Sequence, residues 1–286
     1  MSAELQQRLV QIGVPGQAIR VQHNGINVEQ FALQDKQAAR QATGLPHPPS
    51  VGTRRQIAIY VGNLKVSKGI MDLAEAARLL AAGGYPLAGA GAQRGAGPRD
   101  APLIVLVGDG PARQLLAETV DRNALADHVL LVGARPHREI PDWIAAGDVL
   151  CLPSHQEGCP NVVLEALACG RPVVASRVGA VPELMDESCG ALVSPKEPAE
   201  LAAALTAVVS RDWNAAALRE RVMPLSWAEN ARRLSEELEQ VIREHRQAAG
   251  RGMRGKAGMR DESGPGLSSS LIPHPSSLET GGSHDR

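Results

Sequence analysis

The residues of this chain with the clearest chemical potential lie in Glu157-Gly158-Cys159-Pro160-Asn161-Val162-Val163-Leu164-Glu165, which sets two carboxylates eight positions apart. Glu157 falls in a Gly/Pro loop, and Glu165 a little more than one turn into the helix that follows. The apolar run Asp148-Val149-Leu150-Cys151-Leu152 leads straight into that loop. A strand, a tight loop and a helix start are how α/β proteins hold a polar ligand at the carboxyl edge of a parallel sheet. Carboxylates repel phosphates but accept hydrogen bonds from sugar hydroxyls, while helix-start N–H groups take phosphate charge. The ligand implied is a nucleotide sugar.

A second junction reads Val61-Gly62-Asn63-Leu64-Lys65-Val66-Ser67-Lys68-Gly69-Ile70. Lys68 at the opening of a helix can neutralise a diphosphate beside backbone N–H groups. Taken alone it also reads as a solvated surface lysine, and the G-x-x-x-x-G-K-[ST] loop is absent. A third junction, Gly108-Asp109-Gly110-Pro111, lacks the third glycine of a dinucleotide fingerprint, and Pro111 removes an N–H. It reads as a tight turn and helix cap. No Asp-x-Asp pair occurs, and His23, His47, His128, His137 and His155 lack metal-ligand spacing. No metal and no cofactor is therefore expected. His155, two residues before Glu157, is the one histidine near the inferred pocket.

These side chains need a sheet to position them. Short apolar runs at Ile57–Val61, Leu103–Val107, Val129–Val132, Val149–Leu152, Val173–Ser176 and Ala191–Val193 suit strands buried on both faces. Helical patterns alternate with them. Ile70, Leu73, Ala74, Ala77, Leu80 and Ala81 share one face. Pro111 opens the next helix, with Leu115, Leu116 and Val120 on its inner face. Ile140, Trp143 and Ile144 belong to a shorter helix, and Leu164, Leu167 and Ala168 share the helix of Glu165, which Gly170 ends. The alternation predicts an α/β fold with a doubly wound, Rossmann-like parallel sheet.

The expected divisions are residues 1–18, a donor-binding domain with trailing helices over 19–247, and a disordered tail over 248–286. The Gly/Ala/Pro-rich stretch from Gly83 to Pro102 reads as a surface insertion. Ser226-Trp227 opens a long polar helix through Leu234, Leu238 and Ile242. The 286 residues carry a net charge of −1 and 2% aromatics, which argues against nucleic-acid partners. Cys151, Cys159, Cys169 and Cys189 form no C-x-x-C pair and read as reduced thiols. The first residues, Met1-Ser2-Ala3-Glu4-Leu5, have no signal-peptide pattern, and no apolar run reaches the ~20 residues of a membrane span. A cytoplasmic protein is expected, including one peripheral at the inner face of the membrane.

Together the junctions resemble the family-4 retaining glycosyltransferases of GT-B architecture. The match runs from about Arg20 to Ile242 and includes His23-Asn24-Gly25-Ile26, Gly62-Asn63-Leu64, Lys68-Gly69, Gly108-Asp109-Gly110-Pro111 and Leu152-Pro153-Ser154. It continues through Gly170-Arg171-Pro172 and Val178-Gly179-Ala180-Val181-Pro182-Glu183, and the two glutamates match the family's pair separated by seven residues. The wording is similar to the bacterial cell-surface polysaccharide branch, including teichuronic-acid-type enzymes. The resemblance implies the C-terminal, donor-binding half of a GT-B fold, acting on a UDP- or GDP-sugar and a glycan or lipid-linked acceptor. It further implies that Glu165 holds the ribose, Glu157 contacts the transferred sugar, and Asn63 and Lys68 meet the diphosphate. Gly158, Cys159, Pro160, Asn161 and Val162 would line sugar and phosphates, while Gly133 and Arg135 meet the base. Glu157 and Lys68 would be the catalytic pair. Many members have Arg at the position of Asn63. Only about 20 residues precede Asn24, so the acceptor-binding domain is expected to be missing from this chain and supplied, in a split enzyme, by a separate partner.

Overall fold

A computed structural model describes residues 3–45, 55–83 and 101–257. Six parallel strands form one sheet: β1 (Ile57–Val61), β2 (Leu103–Val107), β3 (Val129–Gly133), β4 (Val149–Leu152), β5 (Val173–Ser176) and β6 (Gly190–Val193), in the order β3-β2-β1-β4-β5-β6. The strand order reverses between β1 and β4. At that switch point neighbouring loops diverge, leaving a crevice at the carboxyl ends. Lys68 follows β1 and Glu157 follows β4, so the topology brings both to the crevice.

Both faces of the sheet are covered because every strand carries apolar residues at both parities. In β1, Ile57 and Ile59 pack on one face and Ala58 and Tyr60 on the other. The first face meets α5 (Ile140–Ala146) and α6 (Asn161–Ala168), and the second meets α3 (Ile70–Ala81), α4 (Arg113–Arg122) and α8 (Pro198–Val209). The remaining helices are α1 (Ala3–Gln11), α2 (Lys36–Thr43), α7 (Val181–Leu184), α9 (Ala215–Glu220) and α10 (Trp227–Ala257). The expected strands are present within a residue at each end, but β3, at the sheet edge, is not buried on both faces: Leu130 is exposed. The helix expected to open at Pro111 starts at Arg113, with the proline in the preceding turn; its inner face is Leu116 and Val120, while Leu115 is exposed.

Polar ties fix the segment before β1. Asp148, at the entry to β4, accepts from Lys36 Nζ at 2.6 Å, Arg40 Nη2 at 2.7 Å and the Ile57 N–H at 2.8 Å. The Arg219 guanidinium donates to the carbonyls of Val28, Phe31 and Ala168 at 2.7–2.9 Å, binding the 28–31 segment to the end of α6. Ile26 bridges Ser226 as a short parallel pairing.

The chain divides into two compact units, Met1–Ser235 and Glu236–Arg286, so residues 1–18 share a unit with the sheet. The helix α10 continues to Ala257, past the boundary expected at 247. The rest of the expected tail, 258–286, and residues 84–100 of the expected insertion lie outside the described residues, as does His47. Among the described residues no helix is long and apolar enough to cross a membrane.

Candidate active site

The centre of the site is an ion pair across the switch point. Lys68 Nζ donates to both oxygens of Glu157, at 2.8 and 2.9 Å. Ser154 Oγ donates to the same carboxylate at 2.6 Å, and the Glu157 side chain is only 8% exposed. The carboxylate is thus held by three charge-assisted hydrogen bonds, two of them from a cationic donor. Lys68 and Glu157, eighty-nine positions apart, were expected to face different parts of a ligand. In the structure they face each other.

Close backbone contacts set this geometry. Gly69 has φ +68, and a Cβ there would lie 1.8 Å from the Pro153 carbonyl oxygen, so the start of α3 rests directly on the end of β4. Gly179 has φ +54, and its Cβ would lie 2.0 Å from the Glu157 carbonyl oxygen. The Ala180 N–H donates to the Gly158 carbonyl at 2.9 Å. The loops after β4 and β5 are therefore joined. His155 takes part in the scaffold: its N–H donates to the Ser67 carbonyl at 2.9 Å, and Nε2 lies 2.6 Å from Asp72 Oδ2 on α3.

A cavity of about 1000 Å³ opens over this junction. Of the expected residues it is lined by Lys68, Glu157, Gly158 and Cys159; His155 and Arg177 also border it. Pro160, Asn161 and Val162 stand just behind, where α6 begins. Pro160 gives α6 no side-chain cap, so the first-turn N–H groups of Asn161 and Val162 remain open to an anion. Asn24 holds this turn in place, its Nδ2 donating to Asn161 Oδ1 at 2.8 Å.

Glu165 lies one turn further along α6, outside the cavity lining. Among the described residues its carboxylate has no hydrogen bond or ion pair, and burial pushes it up to about 7. Asn63, Gly133 and Arg135 form a separate group over β1, β2 and β3. Asn63 Oδ1 would lie 2.3 Å from a Cβ on Gly110, and the Gly108 N–H donates to the Gly133 carbonyl at 2.9 Å. Arg135 stacks on Trp143, 5.3 Å from the ring centroid. The expected site is thus split between the β4–β5 end, around the cavity, and the β1–β3 end.

Sequence reasoning passed over Asn24 as a side-chain contact, Arg113 beside Gly133, and Arg177. A cation placed directly after a buried strand was the available signal for Arg177. Cys151, Cys169 and Cys189 are buried free thiols, and burial pushes Cys169 up to about 12. Among the described residues, no three His, Cys, Asp or Glu side chains are grouped as metal ligands.

A doubly wound sheet with polar groups converging on its switch point defines a Rossmann-like α/β ligand-binding domain. Residues 55–211 match the profile of the family described as Glycosyl transferases group 1, and the chain belongs to that family. It is 33% identical over 184 residues to the putative teichuronic acid biosynthesis glycosyltransferase TuaC of Bacillus subtilis (strain 168), covering 64% of this chain and 39% of that protein. Its fold is similar to the apo lipopolysaccharide outer core galactosyltransferase WaaB, with TM-score 0.64 and 16% identity over 84% of this chain and 60% of that one. Anabaena HepE in complex with UDP gives TM-score 0.63 and 23% identity, over 84% and 62%. The chain spans about two fifths to a half of the length of the curated relatives it matches.

Proposed function

We propose that this chain is the donor-binding half of a retaining glycosyltransferase that takes a sugar from a UDP- or GDP-sugar. The acceptor is a glycan or lipid-linked saccharide of a cell-surface polysaccharide, met at the cytoplasmic face of the membrane. A separate N-terminal acceptor domain would complete the cleft. The observation that carries the reading is the Lys68–Glu157 pair at the switch point, beside the uncapped start of α6. The two groups suit the two ends of one ligand: Lys68 and the α6 N–H groups suit a diphosphate, and Glu157 suits sugar hydroxyls. Glu165, with a half-buried carboxylate that has no partner among the described residues, suits the ribose. Asn63, Gly133 and Arg135 lie where the diphosphate and base would extend along the strand tips. The fold neighbour with UDP makes that nucleotide the first probe.

In transfer, the bond from the anomeric carbon to the diphosphate oxygen breaks, and the acceptor hydroxyl oxygen forms the new bond on the same face. The hydroxyl proton leaves with the diphosphate. Lys68 and the α6 N–H groups stabilise the charge that develops on the departing oxygen. No metal is needed for that charge in this proposal.

The ion pair makes a specific demand, because the diphosphate must draw Lys68 away from Glu157. Glu157→Gln removes the competing charge while keeping the side chain's shape. UDP should then bind several-fold more tightly than to the unmodified chain, while UDP-glucose loses the advantage conferred by its sugar. Titration calorimetry with the two ligands reads both effects, and a fall in UDP affinity would contradict the role of the pair. A second reading is binding without transfer. Positioning donor against acceptor supplies roughly 7–11 kcal/mol of such a barrier. A turnover assay with sugar nucleotides and lipid-linked acceptors, with and without an added N-terminal half, separates the two readings.

A further inference from the structure

Lys68, the cation expected to meet the ligand, is engaged by Glu157, so the remaining cations of the cavity gain weight. The charged lining groups are Arg8, Lys68, Glu157 and Arg177, with His155 tied to Asp72. Once Lys68 and Glu157 neutralise each other, the charge of Arg177 remains. Arg177 directly follows β5 and is exposed. Its backbone N–H is anchored to the Val193 carbonyl at 2.8 Å, and among the described residues its guanidinium has no hydrogen bond or ion pair.

Its position relative to Glu157 is fixed rather than incidental. Arg177 sits two residues before Gly179, whose backbone is in van der Waals contact with the Glu157 and Gly158 carbonyls. The Ala180 N–H closes the same junction on Gly158. A group held by Glu157 therefore lies beside the loop that carries Arg177. Under the proposed function, on which this inference rests, Glu157 holds the sugar. Arg177 then stands on the sugar side of the ligand.

We propose that Arg177 recognises a sugar carboxylate, so that the substrate on this side of the cavity is an acidic sugar. A guanidinium presents paired N–H donors that match a carboxylate in bidentate fashion, and an exposed arginine without a partner is open to that contact. The carboxylate belongs either to the transferred sugar or to the terminal residue of the acceptor. Both sources present the same chemistry to Arg177.

Titration calorimetry on the full 286-residue chain tests this in two arms, with whichever of UDP and GDP binds the unmodified protein. The donor arm compares UDP-glucuronate with UDP-glucose, or GDP-mannuronate with GDP-mannose. The acceptor arm holds the diphosphate saturating and compares a glucuronate-terminated oligosaccharide with its neutral counterpart. In one arm the acidic probe should bind about tenfold more tightly, the scale of a charge-assisted hydrogen bond. Arg177→Ala should reduce that ratio to about one and leave affinity for the free diphosphate unchanged, and Arg177→Lys should retain part of the preference. The arm that responds identifies the source. Equal binding of acidic and neutral probes in both arms, or a preference that survives Arg177→Ala, would overturn the proposal. A loss of diphosphate affinity in Arg177→Ala would do the same, by assigning Arg177 to the phosphates. If neither UDP nor GDP binds the unmodified chain, the nucleotide-sugar reading fails and this inference fails with it.

Discussion

Glu165 carries an electrostatic signature that can be measured without any ligand. Its carboxyl ionises near 4.5 in an open chain, and burial in the fold raises this to about 7. Between those values the folded protein holds a proton that the unfolded chain has released, so stability falls as pH rises through the interval. The interval corresponds to roughly 3 kcal/mol. Glu165→Gln cannot ionise, so its melting temperature should be close to that of the unmodified protein at pH 4.5 and higher at pH 8. A difference independent of pH would show that Glu165 is solvated and ordinary. The same residue marks a limit of reading from sequence. Its place in the helix was legible from Pro160 and the apolar positions Leu164 and Leu167, but an acid in the first turns of a helix is also what the macrodipole favours. The direct ion pair of Lys68 with Glu157 was not legible: the family resemblance assigned both residues to one site, but topology rather than spacing brings them into contact.

The loops after β4 and β5 form one rigid element through Gly179. An Ala there would have to hold φ +54 with its Cβ 2.0 Å from a carbonyl oxygen, whereas a Cβ on Gly158 meets nothing within 4 Å. Gly179→Ala should therefore cost about 2 kcal/mol or more in chemical denaturation and weaken sugar-nucleotide binding. Gly158→Ala should leave stability nearly unchanged, and equal losses in the two variants would contradict the packing of these loops. At the opposite edge, Asp148 compensates Arg40, whose side chain is 2% exposed. Asp148→Asn leaves that buried guanidinium without its counter-ion and should destabilise the fold by about 3–5 kcal/mol, read from the denaturation midpoint. The strands were legible because runs such as Leu103–Val107 are apolar on both faces and bounded by turn residues, here Pro102 and Gly108. The helix α2 was missed because Lys36-Gln37-Ala38-Ala39-Arg40-Gln41-Ala42-Thr43 carries no large apolar side chain. Its two signals were there: Asp35 accepts from the Ala38 N–H at 2.8 Å, and Gly44 takes φ +70 after the last turn.

For the whole molecule, the strand order β3-β2-β1-β4-β5-β6 explains why residues from distant parts of the sequence meet at one crevice. It also explains why the expected site divides into two groups. Each βα loop extends from its own strand tip, so a ligand contacting both groups must lie across several strands, as a long nucleotide sugar would. Apolar periodicity made the doubly wound fold legible, but the cavity between the loops depends on glycine contacts that no local pattern records. The proposed function requires this edge to bind a nucleoside diphosphate through Lys68 and the start of α6. Calorimetric titration of the intact chain with UDP and UMP, and with GDP and GMP, in EDTA, tests it most directly. One diphosphate should bind at least about tenfold more tightly than its monophosphate, the scale of a charge-assisted contact, and Lys68→Ala should erase the difference. Equal affinity for mono- and diphosphates, or binding that appears only when Mg²⁺ is restored, would contradict the account.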